Sequence, residues 1–162
     1  MAKATEVIGR KVMGREGGQE IGKVKDLVVD PTGKQVIGFV LSEGLLHGAK
    51  VAAWSALQAI GPDAVILTST ESVVKASEAP DIKAVLDKDL SIRGLRLQST
   101  EGKELGKIED FRFDEHTGAV EGYELAGGLF SQNSFLPTPL SIELGKDVAF
   151  VGPEAEATIR KS

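Results

Sequence analysis

The chain has 162 residues, of which 41% are hydrophobic and 27% charged, a balance typical of a soluble globular protein with one or two small domains. Its formal net charge of −5 argues against nucleic acid as a partner, because nucleic-acid binding needs a basic face. The chain contains no cysteine, which excludes disulfides, thiolate metal sites and cysteine nucleophiles. No apolar run approaches the ~20 residues of a membrane span and no signal peptide is evident, so we predict a cytoplasmic protein without a transmembrane segment.

The dominant feature of the chain is an internal repeat. Residues 20–30 (EIGKVKDLVVD) recur as residues 104–114 (ELGKIEDFRFD), an offset of 84 positions. Residues 8–67 align with residues 92–151 at the same offset without a gap. Matches of this density indicate internal duplication, so we predict two domains of one fold.

Each copy contains the pattern of a β-hairpin. In the first copy, alternating apolar residues lead into a turn at residues 30–33 (DPTG), and a β-branched run follows at residues 36–41. Proline presets φ in such a turn, and glycine accepts a positive φ. The turn of the second copy opens on Asp114 and has its glycine, Gly118, one residue later, so we expect a different turn type.

Further short strands are expected on both sides of each hairpin. They lie at residues 10–15, 50–54 and 64–67 in the first copy, and at residues 95–99, 134–137 and 148–151 in the second. Short strands with glycine inside or beside them are typical of small β-barrels that bend at glycines.

The residues outside the repeat are predicted to form a connector and a tail. Residues 77–86 have the pattern of a short capped helix, and the C-terminal residues are polar. We therefore predict a first domain at residues 5–70, a connector at 71–90, a second domain at 91–152 and a flexible tail at 153–162.

Two short motifs in each copy resemble the PRC-barrel family. One reads Glu, apolar, Gly, Lys, apolar, any residue, Asp, at residues 20–26 and 104–110. The other reads Val, any residue, Gly, aromatic, any residue, Leu, at residues 36–41 and 120–125. The glycines and aspartates of these motifs and of the turns are Gly22, Asp26, Asp30, Gly38, Gly106, Asp110, Asp114 and Gly122.

The resemblance implies a mainly β fold of two small PRC-type β-barrels in tandem, joined by a short helical or irregular connector. The family includes the cytoplasmic domain of the H protein of photosynthetic reaction centres and the C-terminal domain of RimM-type ribosome maturation factors. It has no common active site, and its members act mainly as docking modules. The chain departs from the family pattern at Ala53-Trp54, where a proline often precedes the aromatic residue, and it lacks the membrane helix of the reaction-centre protein.

Matching carboxylates are the first candidates for chemistry. Asp26 matches Asp110, and Asp30 matches Asp114; paired carboxylates can carry out acid–base catalysis or bind a metal. We interpret all four as structural. The turn aspartates would accept amide hydrogens, and the other pair would tie a strand to a neighbouring segment.

The remaining candidates give no catalytic constellation. His47 and His116 lie in polar loops at unmatched positions and lack the spacing of metal ligands. The chain contains neither a phosphate-binding loop nor a nucleophile elbow. We therefore predict that the protein is not an enzyme and has no catalytic residue, cofactor or metal.

The candidate interaction patch consists of large apolar residues in matching loops. Leu45 and Leu46 in the first copy correspond to Leu129 and Phe130 in the second, and an exposed pair of this kind would form a contact patch. The alternative is that these residues close the ends of the barrels. Trp54, the single tryptophan, is interpreted as core or inter-domain packing rather than a ligand platform.

The sequence favours a non-catalytic interaction module that docks on a protein partner. The partner could belong to a membrane complex, with peripheral membrane association, or be a second copy in a homodimer. A second hypothesis is a small-molecule or metal-binding protein that uses the cleft between the barrels. A third is an accessory protein of ribosome assembly that contacts ribosomal protein rather than RNA.

Overall fold

The structure, a computed structural model, describes residues 1–42, 48–127, 133–139 and 141–161. Strands dominate these residues, which confirms the prediction of a mainly β protein. The strands are β1 (Ala2–Lys3), β2 (Lys11–Glu16), β3 (Gln19–Lys23), β4 (Asp26–Val29), β5 (Val36–Ser42), β6 (Lys50–Ala53), β7 (Leu57–Ile60), β8 (Ala64–Ser69), β9 (Val74–Lys75), β10 (Arg96–Ser99), β11 (Glu104–Phe113), β12 (Val120–Ala126), β13 (Ser134–Pro137), β14 (Ile142–Leu144), β15 (Val148–Val151) and β16 (Arg160–Lys161). The helices are α1 (Ala4–Val7), α2 (Pro80–Asp87) and α3 (Pro153–Glu156), and 3₁₀ turns occupy Trp54–Ala56, Thr70–Ser72 and Ala76–Glu78.

The two copies arrange equivalent strands in the same order. The second copy forms one sheet in the order β14-β15-β10-β11-β12-β13-β16. The short strand β1 also belongs to this sheet and pairs with β11. The first copy divides the equivalent strands between two four-stranded sheets, β7-β8-β2-β3 and β4-β5-β6-β9. Within the described ranges, neither set of strands closes into a hydrogen-bonded ring, so the repeat architecture is confirmed but the barrels are open.

The split in the first copy occurs at one place in its hairpin. In the second copy, Ile108 pairs with Leu125, and β11 runs unbroken past this point. The equivalent residues of the first copy, Val24 and Leu41, do not belong to the β4–β5 ladder among the described residues. The first strand of this hairpin is therefore divided into β3 and β4, whereas its equivalent in the second copy, β11, is continuous.

One hydrophobic core runs through both copies. A single cluster of buried residues contains Val12, Val65 and Leu67 from the first copy and Leu97 and Leu105 from the second. All five are at most 1% exposed. Burial of such aliphatic side chains stabilises the fold by about 1.5–3 kcal/mol each, so the two copies are packed as one body.

The N-terminal segment lies on the second copy. Ala2 and Lys3 of β1 pair with Phe113 and Arg112 of β11 in an antiparallel ladder. In the next residues, α1 buries Ala4 and Val7 in the shared core. The N-terminal residues therefore pack against the second copy, although the first copy follows them directly in sequence.

The C-terminal residues are not the flexible tail that their polar composition predicts. They form α3 and β16, and β16 pairs with β13. Ala155 and Ile159 are 6% and 9% exposed and belong to the shared core. These two apolar residues, separated by polar ones, are enough to hold the segment against the second copy.

The connector contains the predicted short helix. Proline at the first helical position presets the backbone, and no side chain caps the N-terminus of α2. Ile82 and Val85 of α2 form a second buried cluster with Val28, Val40 and Val51, which lie in the β4-β5-β6-β9 sheet. No helix in the described part of the chain is both long and apolar enough to span a bilayer.

The two hairpin turns meet at the boundary between the copies. The amide of Val36 donates to the carbonyl of Gly118 at 2.8 Å, and the amide of Val120 donates to the carbonyl of Lys34 at 2.9 Å. These bonds surround an antiparallel bridge between Gln35 and Ala119. The turn of the first copy thus lies against Tyr123 and Ile142 of the second copy, and the turn of the second copy lies against Trp54 of the first.

Candidate docking groove at the boundary between the copies

Trp54 packs between the copies, as its interpretation as an inter-domain residue predicts. Its ring stacks on Phe39 at 5.7 Å between centroids and meets Phe113 of the second copy edge-on at 6.1 Å. It also covers Gly118, where an added Cβ would lie 2.9 Å from the indole Cε2. Gly118 has φ of +78°, so both its conformation and its contact with the ring require glycine.

A groove opens beside Trp54 along strand β7. It has a volume of about 210 Å³. We call it the edge groove, and its lining residues are Trp54, Leu57, Gln58, Ala59, Ile60, Glu115 and His116. One wall is therefore the whole of β7, and the other is the hairpin turn of the second copy.

The backbone of β7 is unpaired on the side away from β8. Its strand partner among the described residues is β8 alone, since β7 ends its sheet. Apart from the turn bond of Leu57 to Trp54, no described residue outside the sheet makes a hydrogen bond to the backbone of residues 57–60. A strand edge of this kind presents N–H and C=O groups that a further strand can pair with.

The equivalent strand of the second copy, β14, also ends its sheet, but the turn of the first copy covers its Ile142 side chain, and in this sense its edge is closed. Ile142 of β14 lies against the turn of the first copy, where a Cβ added to Gly33 would be 2.8 Å from Ile142 Cγ2. The hydroxyl of Tyr123 donates to the carbonyl of Gly33 at 2.5 Å and holds this turn in place. Ile142 is 6% exposed, and the turn thus packs directly on the strand.

Two substitutions and a β-bulge distinguish the open edge of the first copy from the closed edge of the second. Gln58 replaces Ile142 at the equivalent position, and a β-bulge between Leu57 and Ala59 displaces it from the ladder. Thr117 stands where the first turn has Gly33, so the second turn cannot approach its strand as closely. Because Gln58 and Thr117 stand at the positions of Ile142 and Gly33, the contact that closes the second edge has no counterpart here, and the gap stays open.

The electrostatics of the groove come from the second turn. Glu115 is half-buried at its rim and forms no ion pair with any described residue, and His116 beside it is exposed. The amide groups of His116 and Thr117 donate to Asp114 Oδ1 at 2.7 and 3.1 Å. These two hydrogen bonds lower the pKa of Asp114 from its ordinary value, and the bond from His116 has the larger effect. The Asp114 side chain is therefore a charged carboxylate at neutral pH.

Asp30, Asp114 and Asp110 make the structural hydrogen bonds that their interpretation predicts. Asp30 Oδ1 accepts from the amides of Lys34 and Gln35 at 2.9 and 3.2 Å, which parallels the role of Asp114. Asp110, 6% exposed, accepts from the amide and hydroxyl of Thr5 at 3.1 and 2.5 Å and so ties down the N-terminal segment. Asp26 Oδ1 accepts from the amide of Leu27 at 2.8 Å.

The motif glycines mark close approaches. An added Cβ at Gly38 would lie 2.5 Å from Ile82 Cδ1, and one at Gly122 would run into the ring of Phe135. At Gly106 it would lie 2.9 Å from the carbonyl of Ala126, whereas at Gly22 its nearest neighbour would be 3.8 Å away. Three of the four therefore need the absence of a side chain for packing.

The predicted contact patch cannot be placed. Leu45 and Leu46, and likewise Leu129 and Phe130, lie outside the described residues, as does His47. Of the candidate patch, Trp54 is described, and it lines the edge groove. In the described part of the chain, no three His, Asp or Glu side chains come together to hold a metal ion.

Strand β7 was missed by sequence reasoning. Leu57 and Ile60 are its apolar residues, but the bulge at Gln58 breaks the alternation that marks a strand. The strand at the equivalent residues 141–144 (SIEL) was not predicted either, although these residues do alternate. Recognising it and applying the repeat offset would have identified β7.

Comparison with protein families supports the resemblance at both copies. The model of the PRC-barrel domain family matches twice, at residues 1–74 and 88–156. A search of curated proteins returns no match. The two matches leave out little more than the connector and the last residues, and the chain therefore belongs to the PRC-barrel family.

Proposed function

We propose that the protein is a non-catalytic docking module that binds a partner protein at the edge groove. The observation that carries this proposal is the open edge of β7, which has an unpaired backbone, a partly apolar wall and no covering segment among the described residues. Folded proteins usually protect such an edge with charge, proline or a covering segment. Residues 57–60 (LQAI) have neither charge nor proline.

The internal duplication supports a docking role for this edge. The same strand in the second copy is covered by the turn that holds Gly33. The fold can therefore close this edge with its own residues, and in the first copy it does not. An edge left open beside a closed copy is suited to receive a segment from another chain.

Three kinds of protein partner fit the family: a component of a membrane complex, a ribosomal protein, or a second copy of this chain. A cytoplasmic location is compatible with each. The acidic net charge favours protein over nucleic acid in each case.

A pull-down from native cells tests the docking role. Tagged protein would be captured separately from the soluble and the membrane fraction, and each recovered partner would be purified and its binding reconstituted. We expect one specific partner that binds the purified protein. Recovery of the protein alone from both fractions would contradict the proposal.

Small-molecule binding is the second candidate function. The edge groove lies between the copies, as that hypothesis requires, but its volume of about 210 Å³ is below the ~300–1,000 Å³ of typical ligand pockets. An apolar cavity of about 340 Å³ beside α2, lined in part by Ile37, Val74 and Ile82, is large enough. A thermal-shift screen with metabolites and divalent ions tests this candidate, and an unchanged melting temperature throughout would remove it.

A further inference from the structure

We propose that the edge groove takes an extended peptide segment of the partner, which adds a strand to β7 and places an apolar side chain beside a Lys or Arg. This inference rests on the proposed docking function and specifies the chemistry of the partner. It follows from the backbone, the shape, the apolar lining and the charge of the groove.

The backbone of β7 defines the mode of binding. The backbone groups of β7 that point away from β8, apart from the amide of Leu57, form a free edge, and main-chain hydrogen bonds from an added strand would satisfy it. Hydrogen bonding of this kind is independent of sequence, so it supplies affinity while the side chains supply specificity.

The shape of the groove selects a single extended segment. Strand β7 forms one wall, and Glu115 and His116 of the opposite turn form the other. A strand that already belongs to a folded sheet brings neighbouring strands with it and cannot enter between two walls. The occupant is therefore an extended segment of a partner chain rather than the β7 edge of a second copy.

The lining selects an apolar side chain. Trp54, Leu57 and Ile60 are half-buried and pack against the shared core, and all three face the groove. The volume of about 210 Å³ leaves room for one large side chain and the backbone around it. Side chains of an extended strand alternate between its two faces, so one residue would face this lining while its neighbours point to the rim.

The charge at the rim selects a basic neighbour. Glu115 has no ion-pair partner among the described residues, and the whole chain carries a net charge of −5. A Lys or Arg next to the apolar residue would meet this carboxylate at the rim. Charge complementarity there would raise the association rate and make binding sensitive to salt.

Peptide display on the intact protein tests the inference. A library of random extended peptides would be selected on the full chain, and the enriched sequences would be read and titrated by calorimetry. We expect enriched peptides to share a large apolar residue adjacent to Lys or Arg. A selection that yields no binder, or binders without this pair, would overturn the inference.

Three variants locate the binding site. Ala59→Lys puts a long cationic side chain on the exposed part of β7, and we expect the selected peptide to bind at least about tenfold more weakly. Glu143→Lys places the same residue at the equivalent exposed position of β14 and should leave binding unchanged. Glu115→Gln should weaken binding about threefold and flatten its salt dependence.

Unchanged binding by Ala59→Lys would overturn the inference, and so would equal losses in Ala59→Lys and Glu143→Lys. The same variants separate this failure from failure of the docking role. If a native partner is recovered equally by wild type and Ala59→Lys, the protein docks by another surface and only the groove assignment falls. If no partner is recovered by wild type, the docking role itself falls.

Discussion

The outer faces of the two copies have equivalent strands but different side chains. In the first copy, Val28, Val40 and Val51 form an apolar face, and helix α2 covers it. At the equivalent positions the second copy has Arg112, Glu124 and Phe135, and no helix covers them among the described residues.

The second copy replaces the helix with its own side chains. Arg112 Nη2 donates to Glu124 at 2.8 Å, and the guanidinium lies 4.7 Å from the centre of the Phe135 ring. Arg160 approaches the same ring at 5.3 Å. The gap above the motif glycine is filled by Phe135 here and by Ile82 of α2 in the first copy.

The difference shows how one connector can serve two repeats. A chain with a single connector helix can cover one apolar face, so the other face must be soluble on its own. The Arg–Glu pair and its cation–π contact meet this need while keeping the sheet geometry.

The largest expected effect comes from emptying the covered face. Ile82→Ala removes the side chain of α2 that fills the space above Gly38, and we expect the free energy of unfolding to fall by about 3 kcal/mol because a cavity remains. The matched control is Lys83→Ala on the exposed side of α2, which should cost under about 0.5 kcal/mol through loss of its Asp87 pair. Urea denaturation measures both, and equal effects would show that α2 does not hold the face.

Transplanting the residues of the first copy sharpens the comparison. Glu124→Val removes the carboxylate that Arg112 shares with the more exposed Lys3, and we expect a loss of about 2 kcal/mol, mainly because the side chain of Arg112 is only 28% exposed. Adding Arg112→Val recreates the valine pair of the first copy and should restore at least half of that loss. The double variant should also bind a hydrophobic dye, because no helix covers the new patch. If the double variant is less stable than the single one, the two faces are not interchangeable.

Much of the architecture could be predicted because the repeat and most of its strands are visible as short runs of neighbouring residues in the sequence. Residues 134–137 (SFLP) and 148–151 (VAFV) are short, mostly apolar runs bounded by polar or turn residues, and the predicted strands there agree with β13 and β15. The bulge at Gln58 removes the alternation of β7, and β14 has only three residues, so neither strand was predicted and the candidate site was missed with them. Which copy leaves its edge open depends on contacts between Gly33 and Ile142, which are far apart in sequence.

A smaller effect is expected at the turn that closes the second edge. Tyr123→Phe removes the hydrogen bond to Gly33, and we expect a loss of about 1 kcal/mol at neutral pH. Burial, and then the nearby charge of Asp30, raise the pKa of Tyr123 in the folded state. The stability gained from the neutral hydroxyl is therefore fully present below pH ~10 and is lost as the pH rises towards the raised value.

Denaturation of Tyr123→Phe and wild type across pH 8–11 checks this expectation. The difference in stability between the two proteins should shrink above pH ~10, because the variant has no hydroxyl to ionise. A constant difference over this range would mean that the hydroxyl is not buried against Gly33.

The smallest effect concerns the turn of the open edge. The amides of His116 and Thr117 lower the pKa of Asp114, so its carboxylate should titrate at lower pH than an ordinary aspartate. Its contribution to stability is present above the unfolded-state pKa and is lost as the pH falls through the lowered folded-state value. Carboxyl carbon NMR would follow Asp114 directly, and an ordinary or raised midpoint would contradict the observed turn.

The central claim is that the open edge of the first copy, and not the closed edge of the second, is the docking site. Amide hydrogen exchange of the intact protein, with and without the tightest selected peptide, tests it most directly. We predict that exchange slows at residues 57–60 by at least about tenfold and stays unchanged at residues 142–144. Slowing at residues 142–144, or at any surface that leaves residues 57–60 unchanged, would contradict the claim.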